Sequence, residues 1–399
     1  MHKIPVTLCL LWLGCSLSAQ SLKTVEVADA YKDRDRINLS SFAESIEYIQ
    51  LETSEETLLS YPNLRGIQGD SIMMITSVNR ISLFSRNTGT FLGDIGHKGI
   101  DPDGFFGIAS GLSFNTLNGN VFARKNTFEL LEYDINKNKV VKTIPGPNFL
   151  SNENLALKES KIGVISSVST FHWTPEGFIA GPFQNFSGSE NKKLVVYNTQ
   201  GEVLKLFKNN RTFKKGDRGQ IRSYSTDLFN FKKKSYFKEW FSDTLYSFNT
   251  QRITPEFYFD TEKYSPPYEQ QDLLTDEKRS DLMFIQAITE DDKNLYFHLI
   301  YKNQWRVGLF NKKTNQTFIS DPESDELNGF YNDIDNFVPF VPKFRTQEGY
   351  LVGTISAEDV YTWFQENRSK ANKLPDHLKK LRNIDPEDNP IVMIVKPKK

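Results

Sequence analysis

The sequence predicts an all-β fold of six similar four-stranded units, and a recurring hairpin is the first observation behind this prediction. In one copy the apolar pair Leu83-Phe84 precedes the polar turn Asn87-Thr88-Gly89, and apolar residues return at Phe91-Leu92. Because an isolated hairpin is marginal in water, it needs further strands beside it. First strands that end in an aromatic and a small polar residue recur at 132–134, 196–198, 247–249 and 309–311.

A second repeated pattern supplies those further strands. A strand, a turn and another strand occur upstream of the hairpins, in six copies that begin near residues 64, 112, 169, 228, 287 and 343. Successive copies lie about 48 to 59 residues apart. Four strands per unit at this period are typical of a propeller blade. The sequence therefore predicts a single six-bladed β-propeller with four-stranded antiparallel blades.

The last unit and the first strand together indicate how the ring closes. In the last unit a helix-prone stretch, about 358–381 and broken by Pro375, precedes a final strand at 390–395. The strand at 46–51 has alternating apolar and polar residues, and we expect it to pair with the C-terminal strands, because ring closure leaves no sheet edge bare. The expected organisation is a signal peptide at 1–19, a lead-in at 20–45 and a propeller at 46–399.

The N-terminus has the pattern of a bacterial secretory signal, with one lysine, an apolar run and then small residues. Two processing routes stay open. Cleavage after Ala19 leaves Gln20 first and a periplasmic protein, whereas lipidation of Cys15 anchors the protein at the outer membrane. The only cysteines are Cys9 and Cys15, so cleavage after Ala19 leaves no thiol for a disulfide or a metal site. No later stretch reaches the roughly 18 apolar residues of a membrane-spanning helix.

The charge balance argues against nucleic acid as a partner. The 399 residues include 49 Lys and Arg against 50 Asp and Glu, a formal net charge of -1. Binding to a polyanionic backbone usually requires a basic field. Short metalloprotease, nucleophile-elbow and phosphate-loop motifs are also missing from the sequence, although an active site assembled from distant blades leaves no such motif. A small molecule, a glycan or an envelope protein remain as partners, and we expect a monomer.

Four stretches in fixed order carry a family resemblance over about residues 37–396. They are Ile37–Ser40 with Ile46–Thr53, Ile95–Gly99 with Pro102 and Gly104, Ser242–Tyr246, and Asn332–Asp335 with Pro339-Phe340. Together they resemble the six-bladed β-propeller family of exported Bacteroidetes proteins, whose function is unassigned. The loop 101–106 departs from the family's usual Gly-Pro-Gly-Glu-aromatic sequence, and 336–338 replaces its usual glycines. The resemblance implies the fold and an exported setting but no reaction, and the departures imply a different ligand if these loops bind one.

The long loops between blades are the expected site of function, because they gather around the central channel on one face. The loop after blade three is basic and the loop before blade six is acidic. They form either a polarised mouth that binds an anionic sugar or a charged partner, or two solvated loops that lie apart or pair with each other. The candidate ligand-binding residues are His97, Asp101, Asp103, Trp173, Arg211, Lys214, Lys215, Arg218, Arg222, Asp333 and Asp335.

Some of these candidates have a second interpretation. Asp333 and Asp335 can ligate Ca²⁺, but their segment lacks the glycine and spaced acids of a calcium loop, so they can instead cap backbone N–H groups in a tight turn. Trp173 either stacks on a sugar ring or belongs to the core. The histidines His97, His172 and His298 either are zinc ligands or have a structural or merely exposed role, because no local spacing links them. Bound Ca²⁺ and no cofactor at all both stay open.

The sequence as a whole favours an exported, noncatalytic binding propeller, with its ligand site on the between-blade face at the central channel. Two alternatives stay open. One is a metal-dependent propeller enzyme of the lactonase or lyase kind, with carboxylate or histidine ligands in the channel. The other is a structural subunit of an envelope assembly.

Overall fold

The computed structural model describes residues 22–76, 80–107, 112–115, 118–126, 129–147, 170–216, 226–322 and 327–398. The predicted signal peptide, Arg218 and Arg222 lie outside these residues. Within them the chain forms one two-stranded sheet and six larger sheets, each built on four antiparallel strands, which confirms the predicted all-β six-bladed propeller. The N-terminal segment contains strand β1 (Lys23–Glu26), helix α1 (Val27–Lys32), a 3₁₀ turn (Leu39–Ser41) and strand β2 (Ala43–Gln50).

The first three blades follow in chain order. Blade one contains β3 (Asn63–Gln68), β4 (Ser71–Ile75), β5 (Ile81–Ser85) and β6 (Phe91–Asp94). A short parallel pair follows it, β7 (His97–Lys98) and β8 (Gly104–Phe105). Blade two contains β9 (Ser113–Phe114), β10 (Val121–Arg124), β11 (Glu129–Asp134) and β12 (Lys139–Pro145). Blade three contains β13 (His172–Trp173), β14 (Ile179–Pro182), β15 (Lys192–Tyr197) and β16 (Val203–Lys208).

The last three blades complete the ring. Blade four contains β17 (Thr226–Phe231), β18 (Lys234–Glu239), β19 (Thr244–Phe248) and β20 (Ile253–Asp260). Two 3₁₀ turns (Glu262–Tyr264, Tyr268–Gln270) and helix α2 (Asp276–Ser280) follow it. Blade five contains β21 (Phe284–Glu290), β22 (Asn294–Tyr301), β23 (Gln304–Asn311) and β24 (Gln316–Ile319). Blade six contains β25 (Phe344–Arg345), β26 (Leu351–Ile355), β27 (Ile391–Pro397) and β2.

The first strand of each blade lies next to the channel. Strand β9 contacts β13, β17 contacts β21, and β21 contacts β25, so these strands surround the axis. Since strands alternate in direction, the between-blade loops and the turns from second to third strand share one face. The opposite face carries the remaining turns, including Lys232-Lys233 between β17 and β18.

Blade six joins the two ends of the chain. Strand β2 pairs antiparallel with β27, with Tyr48 opposite Met393, which confirms the expected ring closure. Side chains of β2 alternate as expected from the sequence: Ile49 packs with the core of blade one, and Tyr48 packs toward blade five. Neighbouring blades therefore contact this strand on both of its faces.

The N-terminal lead-in forms a belt around three blades. Strand β1 adds to blade four as a fifth strand, parallel to β20, and α1 then packs against β24 of blade five. Bridges from Asp35 to Ser320 and from Asn38 to Tyr331 carry the chain onward to blade six. Hydrophobic patterning did not predict the strand at Lys23–Glu26, because its partner is distant in sequence.

The predicted helical insertion lies between β26 and β27, on the between-blade face. It consists of α3 (Ala357–Glu366), α4 (Arg368–Ala371), α5 (Asp376–Lys379) and a 3₁₀ turn (Lys380–Asn383). Ser356 starts α3 by accepting a hydrogen bond from the Asp359 backbone N–H at 3.0 Å. The insertion packs on Phe337 of the preceding loop, whose ring lies 4.7 Å from that of Trp363. Among the described helices, none is long and apolar enough to cross a membrane.

Candidate functional site

The basic loop after blade three packs mainly on the loop that follows blade four. The Arg211 guanidinium lies 4.1 Å from the centre of the Tyr268 ring and 3.7 Å from the Glu269 carboxylate. Lys215 donates to the Phe186 carbonyl at 2.9 Å and lies 3.6 Å from Asp272. Lys214 is exposed, whereas Arg218 and Arg222 are outside the described residues. Two of the predicted ligand cations are thus held by protein groups already.

The acidic loop before blade six contacts the N-terminal belt rather than the basic loop. The Asp321 carboxylate lies 3.0 Å from Arg34 and 3.0 Å from Arg306. Asp333 accepts a hydrogen bond from the Ser40 backbone N–H at 2.8 Å and another from the Ser40 hydroxyl. Among the described members of the two loops, no ion pair joins the basic loop to the acidic loop.

Of the two carboxylates that could cap backbone N–H groups, Asp333 caps the Ser40 N–H of the N-terminal belt. The turn at 332–335 is capped by Asn332, whose Oδ1 accepts hydrogen bonds from the backbone N–H groups of Ile334 and Asp335 at 3.2 and 3.1 Å. Burial raises the pKa of Asp335, although a hydrogen bond from Tyr48 opposes this shift. Within the described part of the chain, no three His, Cys, Asp or Glu side chains are grouped so that they could hold a metal ion.

His97 and Asp101 meet in the loop that contains β7 and β8. The His97 Nε2 lies 2.8 Å from the Asp101 carboxylate, and both side chains are exposed. The hydrogen bond from His97 lowers the pKa of Asp101. Asp103 is fixed by its backbone, because its carbonyl accepts from the Tyr133 hydroxyl at 2.6 Å. These contacts shape the loop and leave the Asp103 side chain available at the surface.

Trp173 is a core side chain, so it is no longer a candidate for ligand binding. Only 6% of it is exposed, and its ring stacks on Phe122 of blade two, with centroids 4.8 Å apart and planes 7° apart. A ring that stacks on a sugar needs an open face. The large apolar ring fills the seam between blades two and three instead.

Two cations that sequence reasoning missed lie at the between-blade end of the channel. Arg65 belongs to β3, the inner strand of blade one, and Lys343 directly precedes β25, the inner strand of blade six. Desolvation by the surrounding protein lowers the pKa of both, and the charge of Arg65 lowers that of Lys343 further. Both remain in contact with solvent. In the described structure neither side chain has a hydrogen bond or an ion pair.

Three further side chains, all from blade five, extend this polar region beyond the two cations. The His298 Nε2 lies 3.3 Å from the Pro342 carbonyl oxygen, next to Lys343, and the His298 ring lies 5.7 Å from that of Trp305. Gln286 is directly opposite His298 in the register of β21 and β22. Desolvation lowers the pKa of His298 to about 4, so the imidazole is neutral at pH 7. We refer to Arg65, Gln286, His298, Trp305 and Lys343 as the channel cluster.

A signal for the channel cluster exists in the sequence repeat. The upstream strands of the first and last copies read Leu-Arg-Gly and Lys-Phe-Arg. These sequences place positively charged side chains in an inner strand or directly before one. Charged residues are rarely placed in such positions without a partner. Recognising this signal requires knowing that the first strand of every unit is innermost and that units one and six are neighbours.

Two oppositely charged side chains of blade four, Asp227 and Lys238, hydrogen-bond to the backbone of blade five across the seam between the two blades. Asp227 and Lys238 are register partners on β17 and β18. The Asp227 carboxylate accepts from the Ala287 backbone N–H at 2.8 Å, and Lys238 donates to the Ile285 carbonyl at 2.7 Å. Burial raises the pKa of Asp227 to about 6 and lowers that of Lys238 to about 8. Both groups therefore bind backbone atoms at or next to a bulge in β21, where Ala287 has a φ of 50°.

Comparisons with known proteins agree with this architecture. A family model described as "Domain of unknown function (DUF4934)" matches residues 22–396. A crystal structure of a presumed exported protein from Bacteroides fragilis is similar at 17% identity and a TM-score of 0.66, covering 95% of this chain and 100% of that one. A DUF4221-family member from Bacteroides vulgatus is similar at 12% identity and a TM-score of 0.51, covering 92% and 99%. No curated protein matches in sequence. At these identities the two structures support the fold alone.

Proposed function

The chain belongs to the DUF4934 family, whose function is unknown, and we propose that it is an exported binding propeller that holds an anionic ligand at the between-blade end of its channel. Membership in this family, together with the similar Bacteroides proteins, confirms the resemblance noted from the sequence. The proposal concerns the ligand and the site. It refines the expectation of a binding face at the channel and moves its centre from the basic loop to the inner strands.

The unpaired neighbours Arg65 and Lys343 are the observation that carries the proposal. Two cations in a partly desolvated channel repel each other: the pKa of Lys343 is lowered mainly by desolvation and further by the charge of Arg65. An anion placed between them would offset both the repulsion and the lost hydration, and Arg and Lys donate charge-assisted hydrogen bonds to carboxylate, sulfate or phosphate oxygens. The exposed Lys214, in the loop after blade three, would attract the anion from a distance.

The proposed setting is outside the cytoplasm. It rests on the signal pattern of the N-terminus and on the description of the similar Bacteroides fragilis protein. We retain both processing routes, a mature chain that begins at Gln20 and a lipoprotein anchored through Cys15. The mass of the mature N-terminus distinguishes them.

Thermal melting with sulfate tests the anion site. Sodium sulfate should raise the melting temperature saturably when sodium chloride holds the ionic strength constant. The variants Arg65→Met and Lys343→Met should lose the saturable part and keep only the gradual rise that sulfate produces by exclusion from protein surfaces. Without sulfate both variants should melt at the parent temperature or above it, because each substitution removes a desolvated, repelled charge.

The matched control lies on the opposite face. Lys232 and Lys233 are exposed in the turn between β17 and β18, so replacing both with Ser should leave the saturable response intact. Equal responses to sulfate in the parent, the two channel variants and the control would refute an anion site at Arg65 and Lys343.

A further inference from the structure

We propose that the ligand of the channel cluster is an acidic saccharide, which rests on the anion site proposed above. Arg65 and Lys343 would hold its carboxylate or sulfate, the Trp305 ring would stack on its pyranose face, and Gln286 and His298 would bind its hydroxyls. This assignment adds a ligand class to the site, and it depends on the three blade-five residues rather than on the cations.

Trp305 is the residue that points to a ring-shaped ligand. It follows the tight turn at Lys302-Asn303, where both residues have positive φ, so the turn holds β23 and the indole in place. The side chain is 40% exposed, unlike Trp173 of blade three, which is 6% exposed. An indole offers a flat apolar face to the C–H groups of a sugar at little cost in conformational entropy. Its position beside His298 places that face next to the polar groups of the channel.

Gln286 and His298 supply neutral hydrogen-bonding groups between the indole and the cations. The side-chain amide of Gln286 has no hydrogen-bond partner in the described structure, and the residue is half-buried, so this amide can both donate and accept. The His298 Nε2 faces the Pro342 carbonyl and so carries the ring proton as donor, which leaves Nδ1 as an acceptor. Neutral amide and imidazole groups suit sugar hydroxyls, whereas the two cations suit a single negative group.

The order of the groups around the channel matches the chemistry of a sugar acid. Blade five contributes the stacking ring and the neutral polar groups, and the neighbouring blades six and one contribute the positive charges. A sugar acid has the same polarity, with a hydroxylated ring at one end and a negative group attached to it. An inorganic anion would use only the cations and would leave Trp305 without a role.

Binding measurements with digalacturonate and galactobiose test the proposal, because the two differ only in carboxylate against hydroxymethyl. By calorimetry, the parent should bind digalacturonate at least tenfold more tightly than galactobiose, since charge-assisted hydrogen bonds are worth more than a factor of ten. Trp305→Ala should weaken digalacturonate binding about tenfold and leave the sulfate response unchanged, and Trp305→Phe should restore part of the affinity. Phe318→Ala, at a 43% exposed aromatic on the outer strand of the same blade, should change neither.

The outcomes separate this inference from the anion site. If sulfate stabilises the parent but digalacturonate binds no better than galactobiose, or binds equally well to Trp305→Ala, the saccharide assignment is wrong and the anion site stands. If neither sulfate nor digalacturonate binds, both proposals are wrong.

Discussion

His172 is a titratable side chain that is enclosed between blades three and four. It lies on the inner strand of blade three, and its Nε2–H donates to the Asn230 Oδ1 of blade four at 2.7 Å. The Ser235 hydroxyl donates to the same oxygen at 2.9 Å, and the Asn230 amide donates to the Trp173 carbonyl at 2.8 Å. Desolvation lowers the pKa of His172 to about 4, so the ring is neutral when the protein is folded at neutral pH.

Acidification should therefore destabilise the protein through His172. Well above pH 6.5 the imidazole is neutral in both the folded and the unfolded chain. Between about pH 6.5 and pH 4 the unfolded chain binds a proton that the folded chain excludes, so the free energy of unfolding falls as the pH falls, by up to roughly 3 kcal/mol for this group. His172→Gln keeps a donor for Asn230 and removes the titration. Urea denaturation at several pH values should show a flatter dependence for the variant than for the parent.

The control for this comparison is His377→Gln, at an exposed position of α5. Asp227 acts in the opposite direction, because its raised pKa makes stability fall as the pH rises from about 4 to 6, but it does so equally in parent and variant. A parent and a His172→Gln variant with parallel pH profiles would contradict a neutral, enclosed His172.

At the residue scale, sequence gives access only to neighbours that are local. From the sequence, His97 and Asp101 are separate candidates, and their contact spans only four positions, so a short window contains both residues. Arg65 and Lys343 are neighbours because blades one and six are adjacent, which no window contains. The choice between a core role and a ligand role for Trp173 stayed open, because its burial depends on how blades two and three pack, and a single strand pattern does not carry that information.

At the scale of elements, the turns that end each hairpin link neighbouring blades. Gly89, with a φ of 75°, lies so close to the end of β2 that a Cβ would stand 1.9 Å from the Gln50 carbonyl oxygen. Asn138, with a φ of 46°, donates to the Asp94 carbonyl at 2.7 Å and accepts from the Gly96 N–H at 3.1 Å. The polar turn residues that made the hairpins predictable thus also dock one blade on the outer strand of the previous one.

Strand β1 is the element that patterning missed, and its contribution can be measured. Val25 is completely buried in the cluster between blades four and five, beside Phe257 and Phe259. Val25→Ala should lower the free energy of unfolding by about 1–2 kcal/mol, through lost burial and a small cavity. Glu26→Ala, at the exposed neighbouring position, should change it by less than about 0.5 kcal/mol. A urea midpoint for Val25→Ala equal to that of the parent would mean that β1 does not pack on blade four in solution.

At the scale of the whole molecule, stability depends on a contact between the two ends of the chain. The repeat pattern predicted the number of blades, because each blade is a local unit, and the need to cover a sheet edge predicted which strand completes the ring. The belt over blades four, five and six was beyond prediction, since parallel pairing of β1 with β20 and the packing of α1 on β24 join segments that share no sequence signal.

A disulfide across the closing strands tests this contact directly. Ser45 and Lys396 are exposed register partners on β2 and β27, at a separation that suits a disulfide between opposite antiparallel residues. From residue 20 onward the chain has no cysteine, so Ser45→Cys with Lys396→Cys introduces one defined pair. Replacing Lys396 also removes its exposed ion pair with Glu44, which costs little.

The oxidised double variant should unfold at a higher temperature than its reduced form, because the crosslink closes a loop that contains almost the whole propeller. Chain entropy alone allows a gain of about 5–6 kcal/mol, and strain reduces it, so we expect at least about 2 kcal/mol. Ser45→Cys alone, with no partner thiol, should melt at the same temperature with and without reductant. Thiols that stay free under oxidising conditions, or a crosslinked form that melts like the reduced one, would contradict closure of the ring by β2 and β27. A gain on oxidation would mean that β2 and β27 lie side by side in the folded ring, because a crosslink stabilises only when it restricts the unfolded chain more than it strains the folded one.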